Sequence, residues 1–366
     1  MSLLHQIALS LVKNIGPARA KLMLVRFGDA QKIFQTPEEK FLSIPGLIDK
    51  RAIRQSLDDA LRKAEEELKY VEKNNIDVIF YNDARYPNRL KNCNDSPILL
   101  YSRGNADLNS RRVISIVGTR NATDYGKQLC HQLIEELQQH NVLIVSGLAL
   151  GIDVCAHREA LKFDMPTVGV LGHGLDRLYP HQNRATADKM LENGGLLSEY
   201  TSGTKPDREN FPARNRIVAG MADATVVIEA SLKGGALITA EIANSYNRDV
   251  YAFPGRLGDE YSEGCNFLIR NNKAALLTCV ADLAYSLGWE RDANAKPAKE
   301  QWTLPLDMTK DERSIFDILQ QNNGPLAIDE LTLKTNMPVS LLAMNLLNME
   351  MQGYITSLPG KVYRIG

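Results

Sequence analysis

The chain has 366 residues, 44% hydrophobic and 24% charged, which suits two or three globular domains with ordinary apolar cores. Its formal net charge of −1 excludes a protein that is basic throughout, so a nucleic-acid surface would have to gather its cations locally. No signal core, no bilayer-length apolar run and no Cys-x-x-Cys pair among the five cysteines is present, so a cytoplasmic protein with reduced thiols is expected.

Residues 1–66 read as a helical module. Two glycine turns, Lys13-Asn-Ile-Gly-Pro-Ala-Arg-Ala-Lys21 and Ser43-Ile-Pro-Gly-Leu-Ile-Asp-Lys-Arg51, each place a basic helix start after the glycine. Such turns resemble helix-hairpin-helix motifs, which offer backbone N–H groups to a DNA phosphate without reading bases. A plain αα-hairpin explains them equally, and Pro17 and Pro45 each remove a donor. The charge-rich stretch 56–73 reads as a solvated helical connector.

From residue 67 to 289 the period changes, and strands alternate with amphipathic helices. Strands are expected at 78–81, 98–101, 113–117, 142–145, 167–171, 225–228 and 249–253. Helices are expected around Leu129–Leu137, Ile152–Leu161, Ala185–Glu192 and Phe211–Gly220. This alternation predicts a doubly wound, Rossmann-like, mostly parallel α/β sheet. Ligands bind such sheets outside the carboxyl ends of the strands. Residues 290–308 read as a linker. Residues 309–366 read as a winged helix, opened by the capping box Thr309-Lys-Asp-Glu312. Its third helix, 338–353, carries no lysine or arginine, which favours a protein contact over a phosphate backbone.

The informative stretch is Phe211-Pro-Ala-Arg-Asn-Arg-Ile-Val-Ala-Gly220, followed by a strand and the turn Lys233-Gly-Gly235. Pro212 suits a first helical position and Gly220 the residue just past a helix end. Arg214 and Arg216 stand roughly 200° apart around a helix, so one can point at a ligand while the other anchors the fold. Gly234 and Gly235 open a helix, where free N–H groups attract phosphate. Other strands also deliver glycine turns to the same edge: Gly118-Thr119-Arg120, Ser146-Gly147, Gly172-His-Gly and Pro254-Gly-Arg256. The cations there are Arg120, Arg177, Lys205, Arg208, Arg214, Arg216, Lys233 and Arg256, with Tyr179, Tyr200, Phe211 and Tyr251 as aromatic faces. Cations interleaved with rings suit single-stranded nucleic acid, because charges follow phosphates and rings stack on bases. The candidate DNA-binding residues are therefore Gly118, Thr119, Arg120, Gly147, Gly172, Lys205, Arg208, Phe211, Arg214, Asn215, Lys233 and Gly234.

Other chemistries fit poorly. The spacing Gly118-x7-Gly126 is not a dinucleotide fingerprint, and no Walker A motif occurs. Cys155, His157, His173 and His181 match no closed zinc pattern, and Ser146-Gly147 lacks a nucleophile elbow. His157, at helical spacing from Asp153, reads as a satisfied buried histidine. No catalytic residue, metal or cofactor is expected.

The ordered signatures Val117-Gly-Thr-Arg120, Ser146-Gly-Leu-Ala-Leu-Gly-Ile-Asp153, Leu171-Gly-His-Gly-Leu-Asp176, Leu197-Ser-Glu-Tyr200, Phe211-Pro-Ala-Arg-Asn-Arg216, Gly234-Gly-Ala-Leu-Ile-Thr-Ala240 and Phe253-Pro-Gly255 resemble the DNA-processing family called DprA or Smf. The resemblance covers about residues 75–290, and the flanking regions are similar to that family's SAM-like and winged-helix modules. It implies a dimeric, cytoplasmic, non-enzymatic protein of natural transformation. Such a protein binds and protects incoming single-stranded DNA, displaces single-strand-binding protein and loads the recombinase RecA. It also implies that Arg120 and Arg208 contact DNA and that Phe211 contacts a base. Leu150 and Lys233 depart from the family pattern, which has arginine and serine there, and Lys233 is a candidate to compensate for the missing cation. A competing resemblance links Gly234-Gly-Ala-Leu-Ile-Thr-Ala-Glu241 to nucleotide phosphoribohydrolases, with Glu241 assisting glycosidic cleavage, although its spacing is offset by one residue.

Overall fold

The structure, a computed structural model, describes residues 2–41, 44–46, 49–289, 308–322, 325–352, 354–358 and 362–365. It divides into two units, residues 1–291 and 292–366. The first unit opens with helices α1 (Leu3–Leu11), α2 (Pro17–Phe27), α3 (Ala30–Gln35), α4 (Glu38–Phe41) and α5 (Lys50–Lys73). Its sheet contains β1 (Asp77–Phe80), β2 (Leu99–Gly104), β3 (Val113–Val117), β4 (Leu143–Ser146), β5 (Thr167–Leu171), β6 (Gly194–Ser198), β7 (Ala224–Val227), β8 (Asp249–Ala252) and β9 (Ala275–Leu276). The remaining helices of the unit are α6 (Asn88–Lys91), α7 (Asp124–Leu137), α8 (Ile152–Lys162), α9 (Arg184–Met190), α10 (Asn210–Met221), α11 (Gly235–Ser245), α12 (Glu263–Arg270) and α13 (Val280–Ser286).

The strand order is β1-β2-β6-β5-β4-β3-β7-β8-β9. Pairs from β6 through β9 are parallel, whereas β1–β2 and β2–β6 are antiparallel. The sheet is mostly parallel and doubly wound, as the alternation of elements predicts. Every residue of β3, β4, β5 and β7 is buried, which is why these strands read as continuous apolar runs. Helices α10, α11 and α12 cover one face, and α7, α8 and α13 cover the other. Starting at β3, the chain winds outward through β4, β5 and β6. It then returns to the other side of β3 for β7 and winds away through β8 and β9. The crossovers diverge between β3 and β7, and this divergence opens a crevice at the carboxyl ends.

Two strands of this sheet escape the sequence reading. β6 begins with Gly194-Gly195, a turn signal by composition. The pair is needed because a Cβ on Gly195 would collide with the Arg103 backbone of β2, and Gly194 has φ +139°. β9 has only two residues, too few for a periodic signal. The Phe211–Gly220 helix also differs. α10 begins at Asn210, so Pro212 is its third residue, and Gly220 lies inside it. A Cβ on Gly220 would stand 2.8 Å from Leu90 Cδ1, so this glycine admits close packing of α6 and does not stop the helix.

The 56–73 segment is not a solvated connector. In α5, Ile53, Leu57, Ala60, Ala64 and Val71 are buried at helical spacing, while Asp58, Arg62, Lys63, Glu65 and Glu66 are exposed. Each fully buried leucine or isoleucine contributes roughly 1.5–3 kcal/mol. These residues share one core with Ile7 and Leu9 of α1 and with Phe80, Leu99, Tyr101, Leu171 and Leu196 of the sheet. The helix passes position 66 without a break, and the helical segment packs on the β1-β2-β6 edge.

The second unit holds α14 (Lys310–Asn322), β10 (Leu326–Ala327), α15 (Ile328–Thr335), α16 (Val339–Met351), β11 (Ile355–Leu358) and β12 (Val362–Ile365). Its sheet order, β10-β12-β11, and its three helices make a winged helix. Ile315, Phe316, Leu319, Leu331, Leu342, Leu346 and Met349 form its core. The expected linker, 290–308, lies outside the described residues except for Met308. At the start of α14 the capping box is formed. Thr309 Oγ1 accepts from the Glu312 N–H at 3.3 Å, and Glu312 Oε2 accepts from the Thr309 N–H at 2.9 Å. Thr309→Ala should weaken this helix start by about 1 kcal/mol. Amide hydrogen exchange of the full chain checks it, with faster exchange expected at residues 310–313 and none in the first unit.

Candidate nucleic-acid interface

The loops after β3, β4, β5, β6 and β7 surround a cleft of about 680 Å³ at the switch point. It is lined by Gly118, Thr119, Arg120, Gly147, Asp153, Tyr179, Pro206, Arg208, Phe211, Arg214, Asn215 and the start of α11 from Gly234 to Ala236, among others. Nine of the expected DNA-binding residues line this one cavity: Gly118, Thr119, Arg120, Gly147, Arg208, Phe211, Arg214, Asn215 and Gly234. Gly172 lines a smaller adjoining pocket with Leu148, Leu150, Leu171, Tyr179 and Phe211. The pocket's residues come from loops far apart in sequence, and no local pattern signals it.

The loop after β3 is anchored at two points and presents one exposed cation. The Thr119 N–H donates to the Glu229 carbonyl at 2.7 Å, and the Thr123 N–H donates to the buried Glu229 carboxylate at 2.9 Å. Arg120 is exposed between these anchors, with its guanidinium 5.7 Å from the Phe211 ring centre. The Phe211 ring lies in turn 5.9 Å from the half-exposed Tyr179 ring, tilted by 39°. A guanidinium over one ring beside a second ring gives a wall on which a planar base can stack. Phe211 is held in place because the neighbouring position is glycine: a Cβ on Gly172 would stand 3.1 Å from Phe211 Cδ1.

Under this wall lie two buried groups of opposite charge. Arg214 is 5% exposed and donates to the Val170 carbonyl, and Asp153 is 9% exposed. Burial pushes the Asp153 carboxyl up, opposed by Arg214, and burial pushes the Arg214 guanidinium down. Both side chains crowd the place where Gly147 has no Cβ; Arg214 Nη2 is 2.7 Å from that point. Gly147 therefore serves packing beneath the cleft. Arg214 acts from below the surface, while Arg216, on the other side of α10, pairs with Glu199. Asp153 is the one carboxylate among the described residues lining the cleft.

Several expectations need correction. The Gly234 N–H already donates to the Ser231 carbonyl at 2.9 Å, so the unpaired donors at the start of α11 are those of Gly235 and Ala236. Lys205 and Lys233 are exposed but do not line the cleft; they flank Pro206 and Gly234, which do. Leu150 stands in the smaller pocket beside Phe211. Tyr251 is buried and bonds to Ser286, so it offers no ring to a ligand. Tyr200 bonds to the Asn210 carbonyl, Arg177 pairs with Asp176, and neither lines the cleft. Glu241 faces outward and pairs with Lys273 at 2.9 Å, so it is not placed for glycosidic chemistry in the cleft.

Fold and cleft together define a doubly wound domain with an open groove at its switch point. The sequence model described as DNA recombination-mediator protein A matches residues 77–288, and a model of the DprA winged-helix domain matches residues 295–361. The chain belongs to the DprA/Smf family of DNA-processing proteins. Protein Smf of Synechocystis is 34% identical over 313 residues, covering 77% of this chain and 78% of that protein. The structure of DprA from Streptococcus pneumoniae matches with a TM-score of 0.68 and 31% identity, over 78% of this chain and 98% of that one. A DprA structure from Helicobacter pylori, described in terms of its single-stranded DNA binding mode, matches with a TM-score of 0.53 and 30% identity, over 59% of this chain and 96% of that one.

The Gly147 turn is fixed by His157, which is fully buried. Nε2 donates to the Gly147 carbonyl at 2.6 Å, and Nδ1 meets the Thr167 hydroxyl at 2.7 Å. Burial pushes its pKa down to about 4. The unfolded chain takes up this proton near pH 6.5, and the folded chain refuses it until about 4. Stability therefore falls as pH drops from about 6.5 to about 4, by up to roughly 3 kcal/mol from this group, and is unaffected above that window. Urea unfolding measured across this range checks it, with His157→Gln expected to flatten the pH dependence.

Proposed function

We propose that the cleft grips a short stretch of single-stranded DNA and that the protein uses this grip to protect incoming strands and to load the recombinase RecA onto them. The observation that carries the reading is the Arg120–Phe211–Tyr179 wall with Arg208 on the same cavity: cations for phosphates beside rings for bases. The start of α11 adds unpaired N–H groups and the positive end of a helix dipole. Stacking on rings and charge contacts to phosphates do not depend on base identity, so affinity should vary little with sequence. The Helicobacter pylori relative, whose structure is described by its single-stranded DNA binding mode, supports the same ligand here.

In this reading the protein works in the cytoplasm as a homodimer and displaces single-strand-binding protein as RecA is loaded. The winged helix serves a protein contact. α16 has no lysine or arginine, and Val339, Met344, Leu347 and Met351 are exposed on it.

Arg120→Ala and Arg208→Ala should each weaken binding of unrelated single-stranded oligonucleotides by roughly tenfold at moderate salt. Each should also lower the log–log salt slope by about 0.7. Phe211→Ala should lose about 1–3 kcal/mol with the salt slope unchanged, and Phe211→Trp should keep most of the affinity. Fluorescence anisotropy over a salt range reads all three. Wild-type affinity and slope in both arginine variants would sink the proposal.

A further inference from the structure

The helical segment does more than pack on the edge of the sheet. Glu67, on α5, is 6% exposed and points into the loop that joins β6 to α10. Its two carboxylate oxygens accept the Ser202 N–H at 2.9 and 3.0 Å, and Oε2 also accepts the Ser202 hydroxyl. The same turn is held from below by Asp176, whose Oδ1 accepts the Gly203 N–H at 3.1 Å. The Gly174 N–H bonds to the Thr204 carbonyl at 3.2 Å. Three residues beyond Ser202 the loop reaches exposed Lys205, then Pro206 and Arg208, which line the cleft. At its far end the Asn210 N–H bonds to the Asp207 carbonyl at 3.1 Å, where α10 begins and Phe211 follows.

We infer that Glu67 is a positioning residue for the DNA cleft: it fixes the 199–209 loop so that Arg208 lines the same cavity as Arg120. The inference rests on the single-strand reading of the cleft. A buried carboxylate deprived of its donors is strongly disfavoured, so Glu67 and the Ser202 turn hold each other in a single geometry. Arg208 lies on an exposed loop with no other charge partner in the described contacts, so its location depends on how that loop is anchored. The helical segment is thereby part of the binding site without touching the ligand.

The test uses the full chain and a single-stranded oligonucleotide of mixed sequence, with anisotropy measured over a sodium chloride series. Glu67→Ala should weaken binding about as much as Arg208→Ala and lower the salt slope by a similar amount, about 0.7. The double variant Glu67→Ala/Arg208→Ala should be no weaker than Arg208→Ala alone. Glu67→Gln, which keeps one acceptor oxygen, should recover part of the affinity. Amide exchange at 202–205 should quicken in Glu67→Ala while exchange in β3–β5 stays unchanged. If Glu67→Ala does not fold, Ser202→Ala removes one of the same bonds and should give a smaller loss in the same direction. Wild-type affinity and slope in a folded Glu67→Ala chain, or full additivity with Arg208→Ala, would overturn the inference. If Arg208→Ala itself leaves binding unchanged, the cleft reading fails instead.

Discussion

The molecule depends on one topological constraint: two sets of parallel crossovers wind away from each other between β3 and β7. Right-handed crossovers cover the faces of a parallel sheet, but where their direction reverses no helix bridges the gap. The crevice left there must be lined by loops, and loops lined up at carboxyl strand ends bring helix N-termini with them. The winding thus places helix N-termini and loop side chains together at this edge. Arg120 sits on the loop after β3, and the turn before α11 follows β7, so the two elements flanking the reversal supply a cation and unpaired N–H groups.

Carboxylates tie these loops down, and three of the four, Glu229, Asp153 and Glu67, are buried while Asp176 is exposed. Glu229 holds the turn after β3, Asp153 lies beneath the turn after β4, and Asp176 and Glu67 hold the loop after β6. Each of these carboxylates accepts or crowds backbone that would otherwise be free to move. Interior charge here stabilises one loop geometry, and the surface cations are left exposed for a ligand. A preformed groove of this kind lowers the entropy lost on binding.

Arg214 and Arg216 show how a charge can be counted at a site without being offered to the ligand. Both belong to the arginine-rich stretch that draws attention in the sequence. Arg214 lies buried below the groove on the Val170 carbonyl, and Arg216 is turned to Glu199. Of the arginines lining the cleft, Arg120 and Arg208 are exposed and Arg214 is buried. The apolar pocket with Leu150 and Gly172 beside Phe211 adds a second surface chemistry to the same edge.

The sequence by itself determined the strand–helix alternation, the order of the three regions, the capping box at Thr309 and the glycine turns after β3, β4, β5, β7 and β8. These depend on periods of two and 3.6 and on turn chemistry, which are local properties. It also marked Arg120, Arg208 and Phe211, because glycine turns and cations cluster visibly along the chain. Tertiary structure alone decided which of those residues share a cavity, that Lys205 and Lys233 stand beside it, that Tyr251 is buried, and that Glu241 faces Lys273. It alone revealed β6, whose glycines are explained only by the neighbouring Arg103 backbone, and the buried half of α5, whose charges conceal its apolar stripe. Those outcomes depend on pairs such as Glu67 and Ser202, 135 residues apart, and no local pattern in a sequence encodes a distance between such positions.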